Sequence, residues 1–165
     1  MSYTQEVTRM TTINVDHINP FLIASTKILK EMCYIEPKVG KPFVKDPIFL
    51  DNTILIIIGF TGEMRGQVMI SFEHSIACDI ASRMIMMPIT KMDDFAMSAI
   101  SELGNMILGN TATIFSNQGI VIDITPPTIG SGTMSFSHSY TKSICIPLVY
   151  DDNKKIEINI AVRMS

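Results

Sequence analysis

Alternating apolar and polar positions predict strands in two parts of the chain. The run at 53–60, TILIIIGF, is short and rich in isoleucine, which predicts a central strand covered on both faces. Residues 66–73 alternate and predict a half-exposed antiparallel strand that forms a hairpin with it. Near the end of the chain, apolar residues alternate over 144–150 and 156–162, on either side of an Asp-Asp-Asn turn at 151–153. This pattern predicts a terminal hairpin.

Apolar positions three and four residues apart predict three helices. A first amphipathic helix is expected from about 16 to 32. A second is expected to begin at Ser75, a residue type that favours helix N-caps, and to end before Pro88, which cannot continue it. A third is expected to begin near 91, with Thr90 in a capping-box arrangement, and to continue to about 116.

The segments between these elements are rich in proline and glycine. Regularly spaced prolines over 37–51 predict an edge strand or a loop. A strand is expected at 119–125, followed by a break at Pro126-Pro127 and a glycine-serine turn at 130–133. Residues 1–12 are interpreted as a tail or a first strand. The order of helix, strands, two helices and strands predicts an α+β fold, with long helices packed on a largely antiparallel β-sheet.

Length and composition indicate one globular domain over residues 1–165. The chain is close to the size of a typical domain, and 47% apolar with 18% charged residues is an ordinary balance. A net charge of −3 without a basic run argues against a nucleic-acid partner. Because no apolar stretch is long enough for a membrane span or a secretory signal, we expect cytoplasmic localisation without membrane insertion.

The cysteine, histidine and methionine positions do not predict a metal or cofactor site. Three cysteines lie far apart among apolar neighbours and are interpreted as buried thiols: Cys33, Cys78 and Cys145. Three scattered histidines lack the spacing of a metal site: His17, His74 and His138. We therefore expect no cofactor and no metal bound by this chain. The clustered Met84, Met86 and Met87 are interpreted as core filling, with an adaptable binding surface as the alternative.

One face of the third predicted helix carries a row of polar side chains. Ser98, Glu102, Asn105 and Gly109 follow at intervals of four, three and four, so a hydroxyl, a carboxylate and a carboxamide line up beside bare backbone. An ordinary solvated helix face could show the same spacing. However, small residues flank the row, and Glu102 has no opposite charge four residues away. The row is therefore a candidate docking face.

The row and the order of the predicted elements resemble the CheC/CheX/FliY phosphatases of bacterial chemotaxis, and CheX most in length and in having a single motif. The family motif is Asp or Ser, three residues, Glu, two residues and Asn, which Ser98, Glu102 and Asn105 match. Pro127 corresponds to a family proline, one position short of its usual spacing. CheC-type members repeat the motif on the first helix, where this chain has Ala24 and Lys27, so the resemblance implies one active face.

The resemblance implies a phosphatase that acts in trans on the aspartyl phosphate of a CheY-like response regulator. Asn105 would be inserted beside the phosphoryl group to orient the attacking water, and Glu102 would pair with a lysine of the partner. Ser98, Gly109 and Pro127 would be partner-binding positions. Because phosphoryl transfer depends on positioning and electrostatics, the chain needs no nucleophile of its own. The Mg²⁺ ion would belong to the regulator.

The resemblance also implies a homodimer formed across a sheet edge, which the terminal hairpin with its Pro147 could supply. Two other functions stay open. One is a non-enzymatic adaptor, like the flagellar switch proteins that share this fold and bind a response regulator or motor component without hydrolysis. The other is a small-ligand sensor, which is disfavoured because the sequence shows no cluster of inward-pointing polar groups.

Overall fold

The computed structural model describes residues 15–46, 48–135 and 143–164, so the prediction for residues 1–12 lies outside the described residues. Three helices are present in this part of the chain: α1 (Val15–Cys33), α2 (His74–Ile85) and α3 (Asp94–Asn117). The strands are β1 (Lys38–Val39), β2 (Phe43–Lys45), β3 (Ile48–Phe49), β4 (Thr53–Gly62), β5 (Met64–Glu73), β6 (Ile122–Ile124), β7 (Thr128–Ser131), β8 (Met134–Ser135), β9 (Ser143–Tyr150) and β10 (Lys154–Met164).

Eight of these strands form one antiparallel sheet. Its order is β1-β9-β10-β5-β4-β6, with β2 beside β1 on β9 and β7 beside β6 on β4. The two hairpins predicted from alternation, β4–β5 and β9–β10, form its centre and pair with each other through β10 and β5. Strands β3 and β8 form a separate two-stranded ladder. The predicted α+β class with a largely antiparallel sheet is confirmed.

The three helices pack on one face of the sheet, with α3 in contact with both α1 and α2. One alternating phase of β4, β5, β9 and β10 supplies the apolar floor of this layer, including Ile56, Ile58, Ile70, Ile146 and Ile158, which are at most 1% exposed. Burying this face is the main source of stability, because apolar area removed from water contributes about 25 cal/mol per Å². The helical layer and the sheet thus share one core.

The opposite face of the sheet is covered more fully than predicted. Strand β5 was expected to be half exposed, but Met69 and Ser71, on its second face, are buried. Met69 packs with Leu55 and with Phe49 from the small β3–β8 ladder. The prediction was wrong because the covering ladder comes from segments distant in sequence, which the alternation within β5 cannot indicate.

Two helix starts differ from the expected ones. Helix α2 begins at His74 after an extended Glu73, so Ser75 lies inside the helix and is not its cap. Helix α3 begins at Asp94, where the carboxylate of Asp93 accepts a hydrogen bond from the amide of Ala96 at 2.9 Å. Asp93 therefore fills the capping role assigned to Thr90, because its side chain reaches the third helical amide.

The terminal hairpin is not at the edge of the sheet. Strand β9 pairs with β10 on one side and with β1 and β2 on the other, while β10 also pairs with β5. The carbonyl of Pro147 accepts a hydrogen bond from the amide of Gly40 at 2.7 Å. On this side the outermost strands are therefore β1 and β2, and the expectation that the hairpin itself supplies a dimer edge was wrong.

Candidate functional site

The candidate site lies on α3, the longest described helix, with 24 residues. Its apolar stripe faces the core, where Ile100, Leu103 and Ile107 are buried. The helix has 3.6 residues per turn, so Ser98, Glu102 and Asn105 lie on a different face from this stripe, and all three are exposed. The structure therefore places the three predicted polar side chains together on the outer face of one helix.

Neither the side chain of Glu102 nor that of Asn105 has a hydrogen-bond or ion-pair partner among the residues that the structure describes. The next asparagine, Asn110, provides a contrast on the same helix. Its amide nitrogen donates to the carbonyl of Met106 at 2.9 Å, and its amide oxygen accepts from Lys27 of α1 at 3.4 Å. Asn110 thus joins two helices, whereas the carboxylate of Glu102 and the carboxamide of Asn105 remain available to another molecule.

The two glycines of α3 have different surroundings. A Cβ added at Gly104 would lie 2.8 Å from Cγ2 of Ile56 and 3.3 Å from Cδ1 of Ile58, so this glycine lets the helix approach the central strand closely. A Cβ added at Gly109 would meet nothing within 4 Å. Packing within the described residues therefore requires glycine at 104 but not at 109, where the backbone beside the polar row is bare.

Pro127 and the equivalent face of α1 complete the comparison with the predicted site. Pro127 is half buried in the connection between β6 and β7, which pair one after the other with the same edge of β4 and contact α3. Among the described residues, no hydrogen bond joins Pro127 to the polar row. On α1, the positions of a second motif hold Ala24 and Lys27 in place of glutamate and asparagine. Ala24 is fully buried and Lys27 donates a hydrogen bond to Asn110, so neither is available to a partner in the way that Glu102 and Asn105 are.

An ion-pair network that the sequence did not predict joins α2 to the β9–β10 turn. Asp79 accepts a hydrogen bond from the Tyr150 hydroxyl at 2.7 Å and pairs with Arg83 at 3.1 Å. Arg83 also pairs with Asp151 in the turn at 2.7 Å. Burial by itself raises the pKa of Asp79, but the Tyr150 hydrogen bond and the charges of Arg83 and Lys154 outweigh it and lower that pKa.

A second polar cluster lies on the sheet face opposite the helices. Glu157 accepts a hydrogen bond from the Cys145 thiol at 2.7 Å and pairs with Lys45 at 3.2 Å. Asn159 is fully buried and donates to the carbonyl of Met69 at 2.9 Å. Inward-pointing polar groups are therefore present, contrary to expectation. Glu157 and Asn159 alternate with the isoleucines of β10. Polar residues at every second position of a buried strand were therefore the signal that could have revealed this cluster.

A cavity lies on this second face and not beside the polar row of α3. Its volume is about 480 Å³, and its lining includes Lys45, Phe49, Glu73 and Glu157. Among the described residues, no group of three His, Cys, Asp or Glu side chains is arranged to hold a metal ion. No helix in the described ranges is long and apolar enough to cross a membrane.

Three helices on one face of an antiparallel sheet, with an exposed serine, glutamate and asparagine along the longest helix, define a CheC-like protein. A solved CheC-like superfamily protein from Shewanella sp. PV-4 is similar over 92% of this chain and 99% of its own, with a TM-score of 0.81 and 28% identity. CheX from Borrelia burgdorferi, solved in the CheX-CheY-BeF3-Mg+2 complex, has a TM-score of 0.77 and 31% identity over 91% and 99% of the two chains.

The sequence comparison identifies the family within this class. Residues 54–148 match the family model described as chemotaxis phosphatase CheX. The chain is also 30% identical over 147 residues to the CheY-P phosphatase CheX of Thermotoga maritima, which covers 88% of this chain and 95% of that protein. The chain belongs to the CheX family, which confirms the resemblance drawn from the motif.

Proposed function

We propose that this chain accelerates hydrolysis of the aspartyl phosphate of a CheY-like response regulator. The observation that carries the proposal is the exposure of Glu102 and Asn105, one turn apart and without partners among the described residues. Membership in the CheX family supports it, as does the similarity to a relative named CheY-P phosphatase. The side chains of the row project from the exposed surface of α3, so they can enter a concave site of another protein.

In this proposal the carboxamide of Asn105 enters the regulator's active site and orients the attacking water. A carboxamide offers both a donor and an acceptor but cannot remove a proton at neutral pH, so its contribution is positional. Positioning suffices here because an acyl phosphate is already activated and its transfer passes through a loose transition state. Holding the water in line with the phosphorus can supply much of the rate enhancement.

Glu102 has the complementary role of fixing the orientation of the two proteins. Its carboxylate accepts only, so a lysine at the rim of the regulator's site is its natural partner. A charge-assisted pair formed next to the reacting phosphoryl group would set where along the regulator Asn105 enters. Mg²⁺ belongs to the regulator, where it neutralises the phosphoryl oxygens, and this chain supplies no ligand to it.

Three further positions would contact the regulator, two of them on α3 next to this pair. Ser98, one turn before Glu102, would contact the regulator at the edge of the interface, and the bare backbone at Gly109 leaves room for it after Asn105. Pro127 would contribute from the β6–β7 connection. The reaction takes place where phosphorylated regulators act, so the proposal includes the cytoplasm as the site of action.

A homodimer is part of the proposal, with a different edge from the one the sequence suggested. Strands β1 and β2 expose three apolar side chains at the outer edge of the sheet: Val39, Phe43 and Val44, which are 48%, 47% and 37% exposed. Exposed edge strands are sites for pairing with a second chain. Light scattering coupled to size exclusion measures the mass, and a monomer at micromolar concentration would contradict the dimer.

The decisive experiment follows the decay of a phosphorylated CheY-type regulator from the organism that encodes this chain, with and without the purified protein. We expect wild type to accelerate decay and Asn105→Ala to abolish the acceleration while still binding the regulator. Glu102→Ala should weaken both binding and turnover. Matched controls are Asn19→Ala and Glu31→Ala, which change exposed residues of α1 and should leave the activity unchanged.

Two results would reject the proposed function. If Asn105→Ala and Glu102→Ala accelerate decay as well as wild type does, the assigned residues are wrong. If the regulator binds but its phosphoryl group decays at the unassisted rate with wild type, the chain is a non-enzymatic adaptor. Circular dichroism must show unchanged helicity, which is expected because alanine in an exposed helical position slightly favours the helix.

A further inference from the structure

We infer that Phe95 is an apolar docking contact for the response regulator and determines the affinity of the complex without taking part in catalysis. This inference rests on the proposed function. Phe95 lies at the start of α3 and is 60% exposed, which is unusual for a phenylalanine in a chain whose core is well filled. Four phenylalanines of the described chain are fully buried by contrast: Phe21, Phe60, Phe72 and Phe115.

Helix geometry puts Phe95 on the same face of α3 as the polar row. At about 100° per residue, Phe95 lies within about 20° of Glu102 and about 80° of Asn105 around the helix axis. At 1.5 Å per residue, it lies about 10 Å before Glu102 and about 15 Å before Asn105. Phe95, Ser98, Glu102, Asn105 and Gly109 therefore form one continuous stripe on the outer face of α3.

An interface of ordinary size, centred on Glu102 and Asn105, would extend as far as Phe95. A typical protein–protein interface buries about 800 Å² on each partner, which corresponds to a patch about 30 Å across. A regulator centred on Glu102 and Asn105 would therefore cover the first turn of α3. The occupant is the regulator because its position is already fixed by the row with which Phe95 is continuous.

Exposed apolar side chains also precede Phe95 in the connection that leads into α3. Met86 and Met87, in the connection from α2 to α3, are 74% and 56% exposed, contrary to the expectation that they fill the core. Flexible methionines adapt to a partner's surface, and an aromatic side chain brings a large apolar area with few rotatable bonds. The α2–α3 connection and the first turn of α3 therefore offer a partner both adaptable and rigid apolar side chains.

The fold itself makes little demand on Phe95. The first turn of α3 is held by the Asp93 cap and by buried Ala96, which is fully inside the core. Alanine at 95 would remove a side chain that is mostly exposed, and its higher helix propensity would offset part of the lost packing. Truncation of Phe95 can therefore be tested without unfolding the chain.

The test measures binding and turnover separately for Phe95→Ala, with Leu50→Ala as the matched control. Leu50 is 72% exposed and lies in the β3–β4 connection, outside the helical layer. The probe is the CheY-type regulator activated with beryllofluoride and Mg²⁺ for binding, and the phosphorylated regulator for turnover. We expect Phe95→Ala to raise Kd and KM by about tenfold or more and to leave kcat unchanged. Phe95→Leu should recover most of the affinity, and Leu50→Ala should match wild type.

Several outcomes would overturn the inference, and they separate it from the proposed function. If Phe95→Ala binds within about twofold of wild type while Asn105→Ala is inactive, Phe95 is not a contact and the phosphatase assignment stands. A fall in kcat with unchanged Kd would also overturn it. If Phe95→Ala converts a dimer to a monomer, the surface is covered by a second copy. If wild type neither binds the regulator nor accelerates its decay, both proposals are wrong.

Discussion

The two glycines of α3 allow one substitution to be made twice on the same helix with opposite expected effects. Gly104→Ala places a methyl group 2.8 Å from Cγ2 of Ile56, a contact that real side chains do not make. Ile56 is fully buried in the central strand and cannot move its branched methyl aside cheaply. Gly109→Ala places the same methyl group in open space.

The magnitude follows from two opposing contributions. In a helix interior, alanine is about 1 kcal/mol more favourable than glycine. This gain applies in full to Gly109→Ala. For Gly104→Ala it is opposed by overpacking, which costs about 1–3 kcal/mol in a filled core. The free energy of unfolding should therefore rise by about 1 kcal/mol for Gly109→Ala and fall by up to about 2 kcal/mol for Gly104→Ala.

Urea unfolding monitored by circular dichroism measures both variants against wild type. The slope with urea should be the same for all three proteins, so that a shift in midpoint reports stability alone. For a chain of this size, 1 kcal/mol corresponds to about 2–4 °C in Tm. The two variants should therefore differ in Tm by several degrees, with wild type between them.

Equal stabilisation by both substitutions would refute the reasoning, because it would show that α3 does not approach β4 as closely as the structure has it. Equal destabilisation would also refute it, since nothing described around Gly109 opposes a methyl group. Serine provides a further check. Gly104→Ser should be worse than Gly104→Ala, because it buries a hydroxyl beside isoleucine without a partner.

Three further predictions concern buried polar groups and thiols. Tyr150→Phe removes the hydrogen bond that helps to lower the pKa of Asp79, and the stability that this bond contributes is full above the unfolded pKa and is lost as pH falls through the folded pKa. By urea unfolding, the variant should therefore cost about 1–2 kcal/mol at pH 7 and progressively less as pH falls below the ordinary carboxyl pKa of about 4. A cost that does not fall as pH is lowered would contradict this. Asn159→Asp places a carboxylate in a fully buried position two residues from Glu157 and should lower the free energy of unfolding by about 3 kcal/mol or more. A loss below about 1 kcal/mol would show that water reaches this face. All three cysteines are buried, and burial raises the pKa of Cys33 to about 12, so a disulfide reagent should label no cysteine in the folded chain and all three in urea. Rapid labelling of the folded chain would contradict the structure.

The parts of the fold that the sequence predicted are those that depend on local periodicity. The isoleucines of β4 and the alternation of β9 and β10 predict strands and their pairing because each hairpin is closed by adjacent residues. Helix α3 and its polar row were predicted for the same reason, since positions 98, 102 and 105 share a face of any helix. The family motif supplied the roles.

The parts that were missed depend on residues that are distant in the chain. The second face of β5 is buried because the β3–β8 ladder packs on it. The terminal hairpin is not at the edge of the sheet because Lys38–Val39 and Phe43–Lys45 pair with β9. The Asp79–Tyr150 hydrogen bond spans 71 positions. The caps were missed for another reason. Thr90 and Asp93 both favour caps, and only the position of the first turn on the core decides between them.

The close approach of α3 to β4 at Gly104 has a consequence for how a regulator is selected. Gly104 lies between Glu102 and Asn105 in the chain, so the segment that carries both side chains is seated on the sheet before any partner arrives. The separation between the backbone positions of Glu102 and Asn105 is then a fixed length that the fold imposes. In the proposed mechanism, a regulator whose lysine and phosphoryl group are spaced differently would contact one of the two side chains but not both. Discrimination among regulators would thus depend partly on two isoleucines that no regulator ever meets.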